Sequence, residues 1–216
     1  MLIIWFTLTN QDNRSYYKSV MMPKKQINKE NLLAQGVQLL MQQGYHGTGL
    51  KEILDAVQIP KGSFYNYFAS KESYAAEVIQ YYIEPFIIQL DSHLQHPECD
   101  GLTALKNYFN ELIVELEKAN FKGGCLLGNL MGEIGDTSEI CQKSLQLAIQ
   151  RYQGLLAAGL KKAQKEGTIR TDKSADEMAD LLVNMWQGAL LRMKIEQTAE
   201  PLKQCCHDLL DDYFKV

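Results

Sequence analysis

Helical periodicity runs along almost the whole chain, and it restricts the fold more than any other feature of the sequence. Apolar residues recur every three or four positions, as in Leu33, Val37 and Leu40, which is the spacing of one face of an α-helix. Sustained alternation of apolar and polar residues and hairpin dipeptides, both typical of strands, are nearly absent. The sequence therefore predicts an all-α fold.

Three predicted helices occupy residues 28–68. Asn28 is the expected cap of the first helix, which Gly44 closes, and Thr48 is the expected cap of the second. The third begins at Pro60, because a missing N–H costs little in the first turn of a helix. Two short helices joined by a tight turn are the layout of a helix-turn-helix.

Longer helices are predicted for the rest of the chain. Their ranges are 70–95, 102–119, 137–166, 174–197 and 199–214. Ser70 is the expected cap of the first of them, and Pro85 should kink or interrupt it. We therefore divide the chain into a helix-turn-helix domain at residues 24–71 and a larger helical domain at residues 72–216.

Charge is distributed unevenly, although the net charge of the chain is only −4. Residues 24–71 carry six lysines against three acidic residues, a balance of +3, whereas residues 72–216 carry 14 basic against 22 acidic residues, a balance of −8. This asymmetry indicates a site for a polyanion on the first domain. A solvated lysine face is the alternative interpretation.

The first 23 residues differ from the rest and are either an extension or a start assigned too far upstream, with Met21 or Met22 as the initiator. Their apolar run lacks the features of a signal peptide and is too short to span a bilayer. Five cysteines show neither disulfide nor zinc-site spacing. We expect a cytoplasmic protein with reduced thiols, without a metal or cofactor. The cysteines are Cys99, Cys125, Cys141, Cys205 and Cys206.

The stretch IPKGSFYNYFASKES at residues 59–73 contains four aromatic side chains of two kinds. Phe64 and Phe68 are four positions apart and share a helix face, so we predict that both are core residues. Tyr65 and Tyr67 fall outside that face and are predicted at the surface, where a tyrosine hydroxyl can bind phosphate.

Small and polar residues around these rings suit contact with DNA. Gly62 has no side chain and lets the backbone approach a phosphate, and Ser63 is a short hydrogen-bond donor. Asn66 reads an adenine edge or binds the backbone only, since an amide can do either. A helix carrying these groups fits the major groove.

The segment GYHGTGLKEILDAVQIPKGSFYNYFASKES resembles the N-terminal DNA-binding domain of the TetR family of transcriptional regulators, over roughly residues 28–75. The chain departs from the family pattern at Gln58, where many members have glycine, and at Pro60, where many have a capping serine. By the resemblance, Thr48 and Lys71 clamp phosphates on either side. The DNA-facing set that it implies is Thr48, Lys61, Gly62, Ser63, Tyr65, Asn66, Tyr67 and Lys71. Lys51, one of the six lysines of this domain, is also predicted to bind DNA.

The resemblance also implies a one-component repressor. In the family, the last two helices dimerise, here within residues 174–214, so the homodimer would bind a palindromic double-stranded operator with half-sites ~34–36 Å apart. A small apolar or electrophilic inducer would release it, and no membrane is involved. The alternatives are an activator and a ligand-independent architectural dimer, each with the same DNA-binding domain.

A second group of candidate functional residues lies outside the DNA-binding domain. It consists of the stretch GGCLLGNLMGEIGD and of Lys194 in LLRMKIEQ. With PKGSFY, these stretches resemble a TetR subgroup that includes the N-ethylmaleimide reductase repressor, in which some regulators respond to electrophiles or oxidants through the cysteine. The resemblance implies that Cys125 is the sensor and Lys194 its partner. A helix N-terminus or an ammonium group favours the reactive thiolate. The alternative is that Cys125 is a small buried hydrophobe.

Two other functions compete with cysteine sensing. One is a regulator of an efflux pump that binds bulky apolar ligands, and the other is a thiol enzyme with a histidine base. The four histidines are scattered along the chain, so no nucleophile–base arrangement is evident. The predicted pocket, whose residues are equally suited to the core, is Tyr82, Phe86, Tyr108, Phe109, Leu112, Leu127, Met131, Trp186 and Met193.

Overall fold

The computed structural model describes residues 24–215, with the side chains of Lys24 and Lys61 outside that description. The predicted N-terminal extension, residues 1–23, also lies outside the described residues. Within residues 24–215 the fold is all-α, as predicted, and the one strand-like feature is an isolated bridge between Ile169 and Lys215.

Eight α-helices follow one another along the described part of the chain. They are α1 (Lys24–Gly47), α2 (Leu50–Ala56), α3 (Lys71–Leu94), α4 (Gly101–Lys118), α5 (Leu126–Ile134), α6 (Glu139–Lys165), α7 (Ala175–Glu196) and α8 (Glu200–Cys206). A 3₁₀ helix at Lys61–Asn66 lies between α2 and α3, and a π-helical segment at His207–Tyr213 continues from α8.

Two of the predicted caps in the first domain are wrong. Helix α1 begins before Asn28, which lies inside it, and the N-cap of α2 is Gly49 without a side-chain hydrogen bond. The Thr48 hydroxyl instead donates to the Gly44 carbonyl at 2.6 Å. Gly44 has φ 74° and breaks the helix where the sequence predicted its end. Thr48 therefore secures the break in α1 and does not cap α2.

The turn after α2 contains a residue in the left-handed region. Gln58 has φ 54°, a conformation that glycine adopts without the steric cost that other residues incur. This backbone explains why glycine suits the same position in many TetR sequences. The third helix then forms as a 3₁₀ helix of six residues, shorter and tighter than the predicted one.

Aromatic packing attaches the 3₁₀ helix to α3. Phe64 and Phe68 are buried, as predicted, with their ring centroids 5.4 Å apart. Both rings contact Tyr74 of α3, at 5.6 Å and 4.9 Å. The Tyr74 hydroxyl donates to the Leu32 carbonyl of α1 at 2.7 Å. One buried cluster therefore fixes the 3₁₀ helix against α1 and α3.

Removing the Tyr74 hydroxyl should weaken this cluster. We expect Tyr74→Phe to lower the free energy of unfolding by about 1 kcal/mol, the net value of one buried hydrogen bond. Urea unfolding followed by circular dichroism measures the change. Tyr65→Phe is the matched control, because the Tyr65 side chain is exposed, and an equal loss in both variants would contradict the assignment.

Helix α3 connects the two halves of the molecule. Ser70 caps it, as predicted, in a reciprocal capping box with Ser73. The helix continues through Pro85 without the predicted interruption. Along its length, α3 packs on α6, and the second half is completed by α4, α5, α7 and α8. The buried apolar side chains of both halves form one continuous core.

Candidate nucleic-acid interface and ligand cavity

The outer surface of the 3₁₀ helix presents the polar residues that the sequence placed there. Tyr65 is 62% exposed, and Asn66 and Gly62 are also exposed. No atom lies within 4 Å of the position that a Cβ on Gly62 would occupy, so the backbone there is open to a partner. Ser63 is half-buried beside it.

Both residues predicted to clamp phosphates, Thr48 and Lys71, make hydrogen bonds to the backbone of the protein itself. Thr48 is fully buried. The Lys71 ammonium donates to the Tyr45 carbonyl at 2.6 Å and stands 4.2 Å from the centroid of the Tyr45 ring. Burial lowers the pKa of Lys71, and the nearby Glu133 carboxylate partly offsets this. In this conformation, the Thr48 hydroxyl and the Lys71 ammonium both hold the backbone at the end of α1. Their binding to phosphate stays a prediction.

The remaining members of the predicted set differ in exposure. Lys51 is exposed on α2. Tyr67 is half-buried, and its hydroxyl accepts a hydrogen bond from the Asn28 amide at 3.3 Å. The side chain of Lys61 is outside the described part of the chain. Sequence reasoning missed Asn28 as a neighbour of the interface, since it was interpreted only as a helix cap.

A cavity of about 50 Å³ lies between the helices of the second half. Six of the nine predicted pocket residues line it: Tyr82, Phe86, Tyr108, Leu112, Leu127 and Trp186. The other three do not. Phe109 is buried against Trp186, with ring centroids 4.7 Å apart, Met193 is fully buried, and Met131 is partly exposed at the surface. The wall also includes residues that the sequence did not indicate, among them Tyr152 and Gln187.

Three tyrosines give the apolar cavity a polar wall. Burial raises the pKa values of Tyr82, Tyr108 and Tyr152 well above the ordinary value of a phenol. All three therefore remain neutral hydroxyls at physiological pH and can donate hydrogen bonds. The Tyr82 hydroxyl interacts with the Cys125 side chain and with the backbone of Leu126.

Cys125 lines the same cavity and is the N-cap residue of α5. Its sulfur accepts a hydrogen bond from the Gln187 amide at 3.3 Å. The predicted partner Lys194 is close to this turn, since a Cβ on Gly124 would lie 2.6 Å from its Cδ. The Lys194 ammonium, however, is 3.5 Å from the Asn129 side-chain oxygen. The structure thus brings the two residues to one place, with the ammonium directed at Asn129.

The other cysteines are less suited to reaction. Burial raises the pKa of Cys205 to about 11 and that of Cys206 to about 12, so both remain protonated. Cys141 is buried, and burial raises its pKa as well. Cys99 is half-buried in the loop before α4 and does not line the cavity. Cys125 is the cysteine that combines access to the cavity with a position at a helix N-terminus.

Comparison with known sequences covers both halves of the chain. The pattern of the bacterial regulatory proteins, tetR family, matches residues 32–78, and that of the tetracyclin repressor-like C-terminal domain matches residues 101–209, about half of the chain. The chain belongs to the TetR family. Its helix-turn-helix domain and its cavity-containing domain therefore correspond to the two parts of a TetR regulator.

Two relatives and two solved structures show how far the similarity to other TetR proteins extends. The chain is 34% identical to the transcriptional repressor DhaR of Mycobacterium sp. (strain GP1), over 82% of this chain and 87% of DhaR. It is 30% identical to the repressor NemR of Escherichia coli (strain K12), over 81% and 88%. The crystal structure of E. coli NemR in its reduced form has a TM-score of 0.80 at 28% identity and covers 88% of this chain and 97% of that one. A TetR regulatory protein from Rhodobacter sphaeroides has a TM-score of 0.77 at 29% identity, over 84% and 96%.

These comparisons decide between the functional classes that the sequence left open. This TetR-family protein is a DNA-binding transcriptional repressor, and the thiol-enzyme hypothesis is dropped because the family and the relatives are regulators. No helix among residues 24–215 is long and apolar enough to cross a bilayer. In the same range, no group of three metal-ligating side chains is close enough to hold an ion.

Proposed function

We propose that this repressor binds a palindromic operator as a homodimer and is released when a small electrophile or oxidant modifies Cys125. The observation that supports this most strongly is the position of Cys125, which lines the cavity and occupies the N-cap position of α5. A repressor that binds operator DNA would act in the cytoplasm. The similar structure of E. coli NemR is of a reduced form, and the proposal accordingly gives this chain a group that an oxidant can modify.

The chemistry proposed for the cavity is a conjugate addition. The thiolate of Cys125 attacks the β-carbon of an unsaturated carbonyl compound, a C–S bond forms, the C=C double bond is lost, and the α-carbon takes a proton. The neutral hydroxyls of Tyr82 and Tyr108 would donate to the carbonyl oxygen as charge develops on it. Gln187, which donates to the sulfur at 3.3 Å, would stabilise the thiolate.

A bulky apolar inducer without cysteine chemistry is the second candidate, and the mainly apolar wall of the cavity favours it. The volume favours the first candidate. A cavity of about 50 Å³ is far below the ~300–1,000 Å³ typical of sites for drug-sized ligands, so a bulky inducer would first have to expand it. Release by an apolar compound that cannot react with thiols, with equal efficiency in the wild type and Cys125→Ser, would identify the second candidate.

The dimer is proposed to form through the outer face of α7, together with α8. Leu191 is 57% and Ile195 is 84% exposed, and the two lie one turn apart on that face. Gly188, one turn earlier, has no atom within 4 Å of its Cβ position and would let a second helix approach closely. TetR regulators act as dimers, and this face supplies exposed apolar area for such an interface.

The 3₁₀ helix is proposed to enter the major groove with Tyr65 and Asn66. We expect Tyr65→Ala to weaken operator binding about tenfold, the effect of losing one hydrogen bond to a charged phosphate. Because tyrosine is neutral, the dependence of affinity on salt concentration should not change. Fluorescence anisotropy with operator DNA over a range of salt concentrations measures both quantities.

Lys51→Ala should behave differently in the same titration. Removing one lysine that binds phosphate should reduce the slope of log K against log salt by about 1. Tyr213→Ala, which removes an exposed tyrosine of the second half, serves as a control for both variants. Wild-type affinity in Tyr65→Ala, or an unchanged slope in Lys51→Ala, would argue against these contacts.

A further inference from the structure

Glu133 connects the cavity-containing half of the molecule to the DNA-binding half. It lies in the last turn of α5. One carboxylate oxygen accepts a hydrogen bond from the Tyr45 backbone N–H at 2.7 Å, and the other accepts from the His46 N–H at 2.6 Å. A single side chain therefore holds two successive amides that are more than eighty positions away in the sequence.

These two amides need a partner because of the break at Gly44. A non-helical residue interrupts the ladder of i to i−4 hydrogen bonds, so the N–H groups that follow it behave like those at the start of a helix. Glu133 satisfies them in the way an N-cap residue does, but from a different helix. The fit is close, because a Cβ on Gly44 would lie 2.6 Å from the Glu133 carboxylate.

The segment that Glu133 holds leads directly into α2. It is also held from α3, through the hydrogen bond from Lys71 to the Tyr45 carbonyl. A second contact joins α5 to α1, with the Asn129 amide 3.6 Å from the Met41 sulfur. The orientation of α2, and hence of the 3₁₀ helix that follows it, depends on where α5 places Glu133.

Glu133 and Cys125 are at opposite ends of the same short helix. Helix α5 has nine residues, about 13 Å at 1.5 Å per residue, so a displacement at one end moves the other as a rigid unit. A carboxylate in the last turn opposes the helix dipole. The stability of α5 alone therefore does not explain a glutamate at this position.

We infer that Glu133 is the positioning residue through which the state of the cavity is transmitted to the DNA-binding domain. Displacement of α5 by an adduct on Cys125 would withdraw the carboxylate from the Tyr45 and His46 amides and release the junction before α2. The transmission step rests on the proposed function. The hydrogen bonds from the Tyr45 and His46 amides to Glu133, which we call the clamp, do not depend on the proposed function. They can be tested without any inducer.

The clamp is tested with Glu133→Gln in the full-length chain. An amide has one acceptor oxygen where the carboxylate has two, and it carries no charge. We expect hydrogen–deuterium exchange at the Tyr45 and His46 amides, followed by NMR, to be at least tenfold faster. Operator affinity of the unmodified protein should also fall. Glu139→Gln is the matched control, because Glu139 is exposed and pairs with Lys143 within α6.

Transmission is tested by titrating operator DNA before and after complete alkylation of Cys125 with a maleimide, with the adduct counted by mass spectrometry. In the wild type and in Glu139→Gln, alkylation should raise the Kd by ~5–150-fold, the usual range of coupling between two sites. In Glu133→Gln the increase should fall below about twofold. Glu133→Asp, which keeps the charge but is one methylene shorter, takes its place if the glutamine variant does not fold.

The outcomes separate the two proposals. Unchanged amide exchange in Glu133→Gln would overturn the clamp. Faster exchange with a wild-type effect of alkylation would overturn the transmission role of Glu133. If alkylation leaves the Kd of the wild type unchanged, the proposed sensing by Cys125 fails, and Glu133 is then judged by amide exchange and operator affinity alone.

Discussion

Cys125→Ser should bind operator DNA as tightly as the wild type and fail to release it when treated with a quinone or a maleimide. Serine has nearly the shape of cysteine and can still accept the hydrogen bond from Gln187, so the free protein should be unaltered. It cannot form a thiolate, so the reagent has no nucleophile in the cavity. The ~5–150-fold increase in Kd that the reagent should cause in the wild type should be absent in Cys125→Ser.

Cys99→Ser is the matched control for this experiment. Cys99 is a half-buried thiol outside the cavity, so its replacement removes one site of modification without affecting the proposed sensor. We expect release to persist in Cys99→Ser and to be absent in Cys125→Ser, as measured by gel shift with reagent titrated against protein. Release that survives in Cys125→Ser would refute cysteine sensing.

Leu191→Glu combined with Ile195→Glu should convert the dimer to monomer. Burying either side chain is worth about 1.5–3 kcal/mol, and a two-fold axis makes each one contribute twice. Replacing both with charges that would have to be desolvated should raise the dimer dissociation constant at least ~1,000-fold, the equivalent of ~4 kcal/mol. Sedimentation velocity over a range of protein concentrations measures the change.

The control for the dimer variant is Ile88→Glu, since Ile88 is 62% exposed on a different helix, α3. It should remain dimeric, and a dimer in the double variant would refute the α7 interface. Deleting residues 199–216 is a poorer test. Leu202, Leu210 and Phe214 are fully buried in this segment, so its removal would expose the core as well as any interface.

The sequence predicted those parts of the structure that depend on local pattern. Spacing along the helix separated Phe64 and Phe68, which are buried, from Tyr65, which is exposed. The family resemblance added the cysteine that lines the cavity. Each of these two signals comes from short stretches of sequence, so neither required knowledge of how distant helices pack.

The parts that the sequence did not predict depend on contacts between distant segments. The sequence does not indicate that the Tyr45 carbonyl lies 2.6 Å from the Lys71 ammonium. Nothing in the sequence distinguishes Glu133 from the other acidic residues of the chain. Tyr152 joined the cavity wall through the packing of α6, and helical spacing alone does not tell a cavity wall from a filled core.

The short 3₁₀ helix limits how much DNA one protomer can recognise. Its six residues rise about 2.0 Å each, ~12 Å in total, which is the length of ~3–4 base pairs at 3.4 Å per step. A DNA sequence of only ~3–4 base pairs recurs by chance throughout any genome. A monomer would therefore bind promiscuously as well as weakly. In the proposed dimer, discrimination between operators would come from two such sequences together with the fixed distance between them. The dimer interface would then help to determine which genes are regulated.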